Sequence, residues 1–148
     1  MRMKTVVAAL TAMILSSWTL QASAVTSSKD YKEAVRLYEN GMYERALSAF
    51  RSMPDDPMAK GYAVLCMAKM KSPGYEESLR YFLDRYGVTS LDSEIHLIYA
   101  ENLFDEQRYA EALPEFGMVR TRDLSASKYT EVLYKQGFCD FCLFPERV

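Results

Sequence analysis

The residues in this 148-residue chain that could do chemistry are few, and the most suggestive are two cysteines near its end. Cys139 and Cys142 form a CxxC, which in an oxidising compartment could act as a redox pair. A redox CxxC is expected after a strand at a helix N-terminus, but this one lies inside a predicted helix with no strand before it. We therefore expect both to be small buried packing residues. With Cys66 the count is odd, so no disulfide framework follows.

Metal binding and acid–base catalysis lack the residues they need. His96 is the only histidine and stands at no recognised zinc spacing from the cysteines, so we expect a structural role for it. The pairs Glu76-Glu77 and Asp55-Asp56 are interpreted as solvated helix starts and turns, because neighbours on a helix point about 100° apart. No glycine-rich phosphate loop or nucleophile motif is present. We expect no catalytic residues, no metal site, no cofactor and no enzymatic activity.

The first 24 residues have the pattern of an export signal. Arg2 and Lys4 form a basic start, an apolar run follows over residues 6–20, and Ala22-Ser23-Ala24 matches the small residues that precede a cleavage site. The run is short for a membrane span of roughly 20 residues, so we expect cleavage after Ala24 rather than a retained anchor. After cleavage the sequence predicts no membrane span.

Charge argues against a nucleic-acid partner. Without Arg2 and Lys4 the chain carries 16 basic and 20 acidic side chains. The two signs are interleaved, so no basic stripe exists to collect phosphates. The 11 tyrosines and 9 methionines recur at helical spacing, which favours core packing, although methionine-rich faces also serve as adaptable binding surfaces.

One pattern recurs along the chain with a period of 32 to 37 residues. In YENGMYERALSAF (38–50), a tyrosine is followed by a small residue and then by a phenylalanine four positions later. The pattern recurs in PGYEESLRYF and in QRYAEALPEF, and a small residue stands nine positions before each tyrosine. A period of this length indicates stacked helical pairs. The small residues are Ala34, Cys66, Ala100 and a fourth at Gly137, the tyrosines are Tyr43, Tyr75 and Tyr109, and the second-helix pairs are Ala46 with Phe50, Ser78 with Phe82, and Ala112 with Phe116.

The positions of proline and glycine predict seven helices and almost no strand. Asp92 or Ser93 is a plausible N-cap for the fifth helix. Pro114 and Gly117 should weaken or bend the sixth. The predicted helices span residues 29–41, 43–53, 58–71, 75–86, 92–106, 109–120 and 125–144.

This pattern resembles the tetratricopeptide repeat family, which places a small residue in the first helix of each pair and Ala-x3-Phe in the second. The family's tryptophan is missing, because the only one, Trp18, lies in the signal segment. The resemblance implies an all-α fold, a right-handed α-solenoid of antiparallel helix pairs with about three and a half repeats. The predicted domain is 25–148, with repeats at about 28–57, 58–91 and 92–124 and a partial repeat at 125–148.

In stacked helical pairs the first helices line the concave side. Residues three before, one after and four after each small residue should therefore face a groove, although we expect some of them to pack between repeats. Such a groove would be mostly apolar with a little acid, which suits an extended or helical protein segment better than a polar metabolite. The basic and amide residues with which the family clamps a C-terminal carboxylate are absent from it. The predicted groove residues are Tyr31, Val35, Tyr38, Ala63, Met67, Met70, Leu97, Glu101 and Phe104.

The last predicted helix ends in VLYKQGFCDFCLF, residues 132–144, which is apolar nearly all round. Twelve residues separate the first small residue from the second in each full repeat, and the same step from Gly137 passes the last residue, Val148. A helix that finishes a repeat stack normally has a polar outer face. We therefore expect further chain, a partner or a second copy of this chain to cover it.

Two functions of different classes follow. The resemblance and the export signal together predict a protein–protein interaction scaffold in the periplasm or cell envelope of a Gram-negative bacterium. The alternative is a passive segment of a longer solenoid whose functional site lies beyond Val148.

Overall fold

The structure, a computed structural model, describes residues 28–86 and 89–147. Over these ranges the chain is all-helical, with seven α-helices, two 3-10 turns and no strand, which confirms the predicted all-α class. The predicted signal segment, residues 1–24, lies outside the described residues. In the described part of the chain, no helix is both long enough and apolar enough to cross a membrane.

The helices begin and end within three residues of their predicted bounds. The largest difference is in the sixth helix, which contains Pro114 and ends at Gly117. The helices are α1 (28–39), α2 (Tyr43–Arg51), α3 (Pro57–Lys69), α4 (Tyr75–Tyr86), α5 (Asp92–Asp105), α6 (Tyr109–Gly117) and α7 (Ala126–Leu143), with 3-10 turns at Thr121–Asp123 and Pro145–Arg147.

The turns after α1, α3 and α5 share one geometry. After α1, the Met42 N–H donates to the Leu37 carbonyl oxygen at 2.9 Å, and Gly41 between them takes a φ of 74°. This is a Schellman motif, which closes a helix C-terminus through a residue in the left-handed region. The corresponding residues after α3 and α5 are Lys71, at φ 47°, and Gln107, at φ 60°. Two of the three turns therefore adopt this conformation without glycine.

Successive helices from α2 to α7 pack on one another, and α3 also packs on α5. Small residues allow the close approaches and phenylalanines fill the space between pairs. Ala34, Cys66, Ala100, Ala46 and Ala112 are fully buried, and Phe50, Phe82 and Phe116 are each 1% exposed.

The second pair departs from this pattern at Ser78. Its side chain is only half-buried, and its Oγ donates to the Gly74 carbonyl oxygen at 3.0 Å. Leu79, the next residue, is fully buried instead. On α4, Leu79 therefore takes the place of the small pattern residue in the core, while Phe82 stays buried at its pattern position.

The start of α5 differs from the prediction. The helix begins at Asp92, so Leu91 occupies the N-cap position, and the predicted cap at Asp92 or Ser93 is wrong. The Asp92 carboxylate accepts hydrogen bonds from the backbone and hydroxyl of Thr89. Ser93 is buried, and its Oγ accepts from the Arg120 N–H at 2.9 Å. These two polar side chains therefore attach the segment before α5 and the segment after α6 to the start of α5.

Candidate binding surfaces

The three predicted groove residues of α1 contact the rest of the chain. The Tyr31 ring meets those of Phe50 and Tyr62 edge-on, with centroids 6.1 and 6.3 Å apart. The Tyr38 ring also meets Tyr62, at 5.2 Å. Val35 is half-buried and packs against the core. This end of the predicted groove is therefore largely occupied by packing between repeats.

Tyr38 also forms a hydrogen bond that joins α1 directly to α5. Its hydroxyl donates to Glu94 Oε1 at 2.6 Å, across 56 residues of sequence. Burial, and then the hydrogen bond to Glu94, raise the pKa of the Tyr38 hydroxyl above its ordinary value. The hydroxyl therefore stays protonated and keeps donating at physiological pH. Since Tyr38 is only 8% exposed, its role is structural.

The three predicted groove residues of α5 are engaged in a similar way. Leu97 is buried. Glu101 accepts a hydrogen bond from Lys128 of α7. The Phe104 ring lies edge-on to Phe138, also on α7, with centroids 5.6 Å apart. These contacts hold α7 against α5.

The remaining three predicted groove residues lie on α3 or, for Met70, at its C-cap. Met70 is half-buried and lies beside the turn after α1, next to Met42 and Tyr43. Ala63 and Met67 line an open cleft between α3 and α4. Of the nine predicted groove residues, these two line that cleft.

The cleft between α3 and α4 has a volume of about 370 Å³. Phe82 and Val64 form a buried apolar floor, whereas Tyr81 is 65% exposed. Lys60 Nζ donates to the Tyr86 hydroxyl at 2.9 Å and lies 5.5 Å from the centre of that ring. The cleft therefore combines an apolar floor, an exposed aromatic ring and one cation. Its lining residues are Lys60, Ala63, Val64, Met67, Glu77, Ser78, Tyr81, Phe82 and Tyr86.

Small side chains explain why space remains there. Ala63 on α3 and Ser78 on α4 both line the cleft, and neither is large enough to fill it. Beside it, α3 comes so close to α4 that a Cβ on Gly61 would lie 2.9 Å from Phe82 Cζ and 2.7 Å from Leu91 Cδ1. The Phe82 ring is thus fixed by close packing, which makes the apolar floor a preformed surface.

A network of ion pairs centred on Arg108 joins α4, α5 and α6. Its guanidinium donates to both carboxylate oxygens of Glu76, at 2.7 and 3.1 Å, and to Glu111. The Tyr99 hydroxyl donates to Glu76 Oε2 at 3.1 Å and accepts from Arg80 Nη2 at 2.7 Å. Hydrogen bonding to Arg108 holds the pKa of Glu76 below its ordinary value. The network therefore keeps Glu76 charged and joins the starts of α4 and α6 to the middle of α5.

Glu76 and Glu77 lie in the first turn of α4, as the predicted helix start requires, but Glu76 is not solvated as expected. Its side chain is 31% exposed and bidentately paired with Arg108. The available signal was spacing, because Glu76 and Arg108 lie 32 residues apart, one repeat period. Opposite charges separated by one period of a repeat array are candidates for contact between neighbouring pairs.

The cysteines are free. Cys139 is buried as expected, but Cys142 is exposed, so the expectation that both are buried is wrong for Cys142. Burial raises the pKa of the Cys139 thiol and raises that of Cys66 to about 11. Both groups are therefore poor thiolate nucleophiles at neutral pH. Over residues 28–86 and 89–147, no three His, Cys, Asp or Glu side chains cluster closely enough to hold a metal ion.

His96 bridges α5 to α6. Its Nδ1 lies 2.6 Å from Glu115 Oε2, and its side chain is 13% exposed. The pair lies at a depression that is also lined by Arg80, Asp92 and Met118. This contact fits the structural role expected for the histidine.

Comparison of the chain with protein-family models, with curated proteins and with solved structures gives no match. The residues of these surfaces are therefore the basis for inferring their function.

Proposed function

We propose that this chain is a solenoid of tetratricopeptide-like helical pairs. The proposal is supported by the shared geometry of the turns after α1, α3 and α5. It is also supported by the complete burial of Ala34, Cys66 and Ala100, the small residues that recur with the period. Contact between α3 and α5, the first helices of successive pairs, is the stacking that such an array requires.

We further propose that the solenoid is a protein–protein interaction scaffold, and that the cleft between α3 and α4 receives an apolar side chain of an extended or helical partner segment. The observation that carries this proposal is the preformed apolar floor beside the exposed ring of Tyr81. Aromatic residues next to desolvated pockets are the usual anchors of protein interfaces. The ammonium of Lys60 favours a partner with an acidic residue near its apolar anchor.

The proposed place of action is the periplasm or cell envelope of a Gram-negative bacterium. It is supported by the basic start, the apolar run and the small residues at 22–24. Intact-mass measurement of the protein recovered from the periplasm should give a chain that begins at Val25. Recovery of only the uncleaved chain, in the membrane fraction, would refute it.

Site-specific photo-crosslinking tests the scaffold proposal. A photoreactive amino acid at position 81 should give cross-links to one partner protein in cells. These cross-links should weaken when Met67, which also lines the cleft, is changed by Met67→Lys. The matched control places the same amino acid at exposed Ser48 of α2, away from the cleft. Equal cross-linking at both positions, or none at position 81, would argue against the cleft.

The second candidate is a passive segment of a longer solenoid, with the functional site beyond residue 148. It is favoured by the exposed apolar face of α7, which carries Leu133, Tyr134 and Phe141. Under this alternative, the cross-linking yield at position 81 would not respond to Met67→Lys.

A further inference from the structure

The two sides of α7 differ sharply in their environment. Val132 and Cys139, seven residues apart, are its two buried residues and attach it to the rest of the chain. On the opposite side runs a line of residues at alternating intervals of four and three, which is the spacing of a coiled-coil seam. We call this line the α7 seam. It consists of Thr130, Tyr134, Gly137 and Phe141, and Phe144 follows at the C-cap of the helix.

Apart from Thr130, whose hydroxyl donates to the Ala126 carbonyl oxygen, the seam consists of exposed aromatic residues and Gly137, and none of its residues is charged. Tyr134 is 67% exposed and Phe141 is 55% exposed. Leu133 and Phe138, which flank the seam, are 47% and 36% exposed. At its centre Gly137 is open, since a Cβ there would meet nothing within 4 Å.

The area available is enough for a specific pair. Aromatic side chains bury roughly 150–250 Å² each. The exposed parts of Leu133, Tyr134, Phe138, Phe141 and Phe144 therefore amount to about 500 Å² per chain. Two copies would bury about 1,000 Å² in total, which is where specific interfaces begin.

We propose that the α7 seam pairs with the α7 seam of a second copy, antiparallel, with Phe141 of each copy seated over Gly137 of the other. When two such helices pack antiparallel about a two-fold axis, a seam residue of one copy contacts a different seam residue of the other. With Gly137 opposite Phe141, the numbers of two contacting residues always add to 278. The seam is thus complementary to itself, since it carries both the aromatic knob and the small residue that receives it.

This pairing is independent of the proposed scaffold function, because it uses none of the residues that line the cleft between α3 and α4. It would place two such clefts in one particle. A partner with two binding segments would then bind more tightly than a partner with one.

Sedimentation velocity of the whole chain between about 1 and 100 μM tests the pairing, a range that brackets micromolar affinity. Two single variants each change one of the two residues in the predicted contact. Gly137→Lys places an ammonium in the seam, and folding should survive because the position is open and lysine is the better helix former. Phe141→Glu removes the knob and adds a carboxylate. Each should weaken association at least tenfold, while the control Tyr81→Glu on α4 should leave it unchanged.

The double variant tests the register. In the proposed pairing, each introduced ammonium faces an introduced carboxylate of the second copy, twice per dimer, so association should recover. In a parallel pairing like charges would meet and no recovery would occur. Circular dichroism checks folding, and if Phe141→Glu loses helix, Gly137→Lys alone decides whether the seam is the interface. A monomeric parent chain at 100 μM, single variants that still associate, or a double variant that stays dissociated would each overturn the proposal.

Discussion

The helices α5 and α7 both carry a small residue of the repeating pattern, yet they are buried to very different extents. In α5 eight of 14 residues are buried, and Ala100 has no exposed surface. In α7 only two of 18 residues are buried, and Gly137 is open. Both helices are rich in apolar residues, so composition does not explain the contrast. The buried residues of α5 are Ser93, Ile95, Leu97, Ile98, Tyr99, Ala100, Asn102 and Leu103.

Neighbouring helices account for the difference. Three helices, α3, α4 and α6, pack around α5. The Asn102 amide of α5 even donates to the Ala68 carbonyl oxygen of α3, at 2.9 Å. By contrast, α7 packs mainly on α6, with added contacts to α5 through Lys128 and Phe138. In a repeat array a helix is buried by the units on both sides of it, and α7 has such a neighbour on one side only among the described residues.

The largest predicted effect contrasts two leucines. Leu103→Ala in α5 should lower the free energy of unfolding by about 3 kcal/mol, because Leu103 is fully buried and the deletion leaves a cavity. Leu133→Ala in α7 should change it by less than about 0.5 kcal/mol in the monomer. Urea unfolding at submicromolar chain concentration measures both. Similar losses for the two variants would mean that α7 is covered within one chain.

The next prediction is that larger side chains at Ala100 and Gly137 change the stability of the chain in opposite directions. Ala100→Leu should destabilise the chain by about 1–3 kcal/mol, because a fully buried position has no room for three more carbons. Gly137→Ala should stabilise it by about 0.5–1 kcal/mol, since the added methyl meets nothing and alanine is the better helix former. Thermal unfolding should therefore shift in opposite directions, and a loss of stability for Gly137→Ala would contradict the open site.

The last prediction concerns the ion pairs around α5, whose contribution to stability should depend on pH. Glu76→Gln should cost about 1–2 kcal/mol at pH 7, because the carboxylate accepts two hydrogen bonds from Arg108. The pKa of Glu76 is lowered in the folded chain. Its contribution is therefore present above the unfolded value of roughly 4.3 and is lost as pH falls through the lower folded value.

Unfolding at several pH values tests this, with Glu77→Gln, the exposed neighbour, as the matched control. The gap in stability between the parent chain and Glu76→Gln should narrow below about pH 4. A gap that stays constant down to pH 2 would show that the carboxylate charge is not responsible.

The sequence predicted the helices well because their signals are local. Tyr43, Tyr75 and Tyr109 each begin a helix, as the period required. The glycine at 41 adopts the positive φ that a Schellman turn favours. Local signals did not reveal that Lys71 and Gln107 adopt the same conformation, because neither residue type favours it.

Side-chain placement was less predictable, because it depends on how neighbouring helices are rotated. Ser78 follows the pattern by position, but Leu79 takes the buried site on α4. Tyr38 was placed in the groove, yet it is buried and bonded to Glu94, on a helix that sequence spacing did not pair with it. The cleft between α3 and α4 includes residues of both helices, so only Ala63 and Met67 of its lining were among the predicted groove residues.

The hydrogen bond between Tyr38 and Glu94 should affect the order in which the helices unfold. Short stacks with contacts only between adjacent units tend to fray from their ends, one unit at a time. The hydrogen bond joins α1 to α5, so local unfolding of α1 also breaks a contact of α5. Amide hydrogens of α1 should then exchange with solvent almost as slowly as those of α5, and Tyr38→Phe should let α1 open by itself.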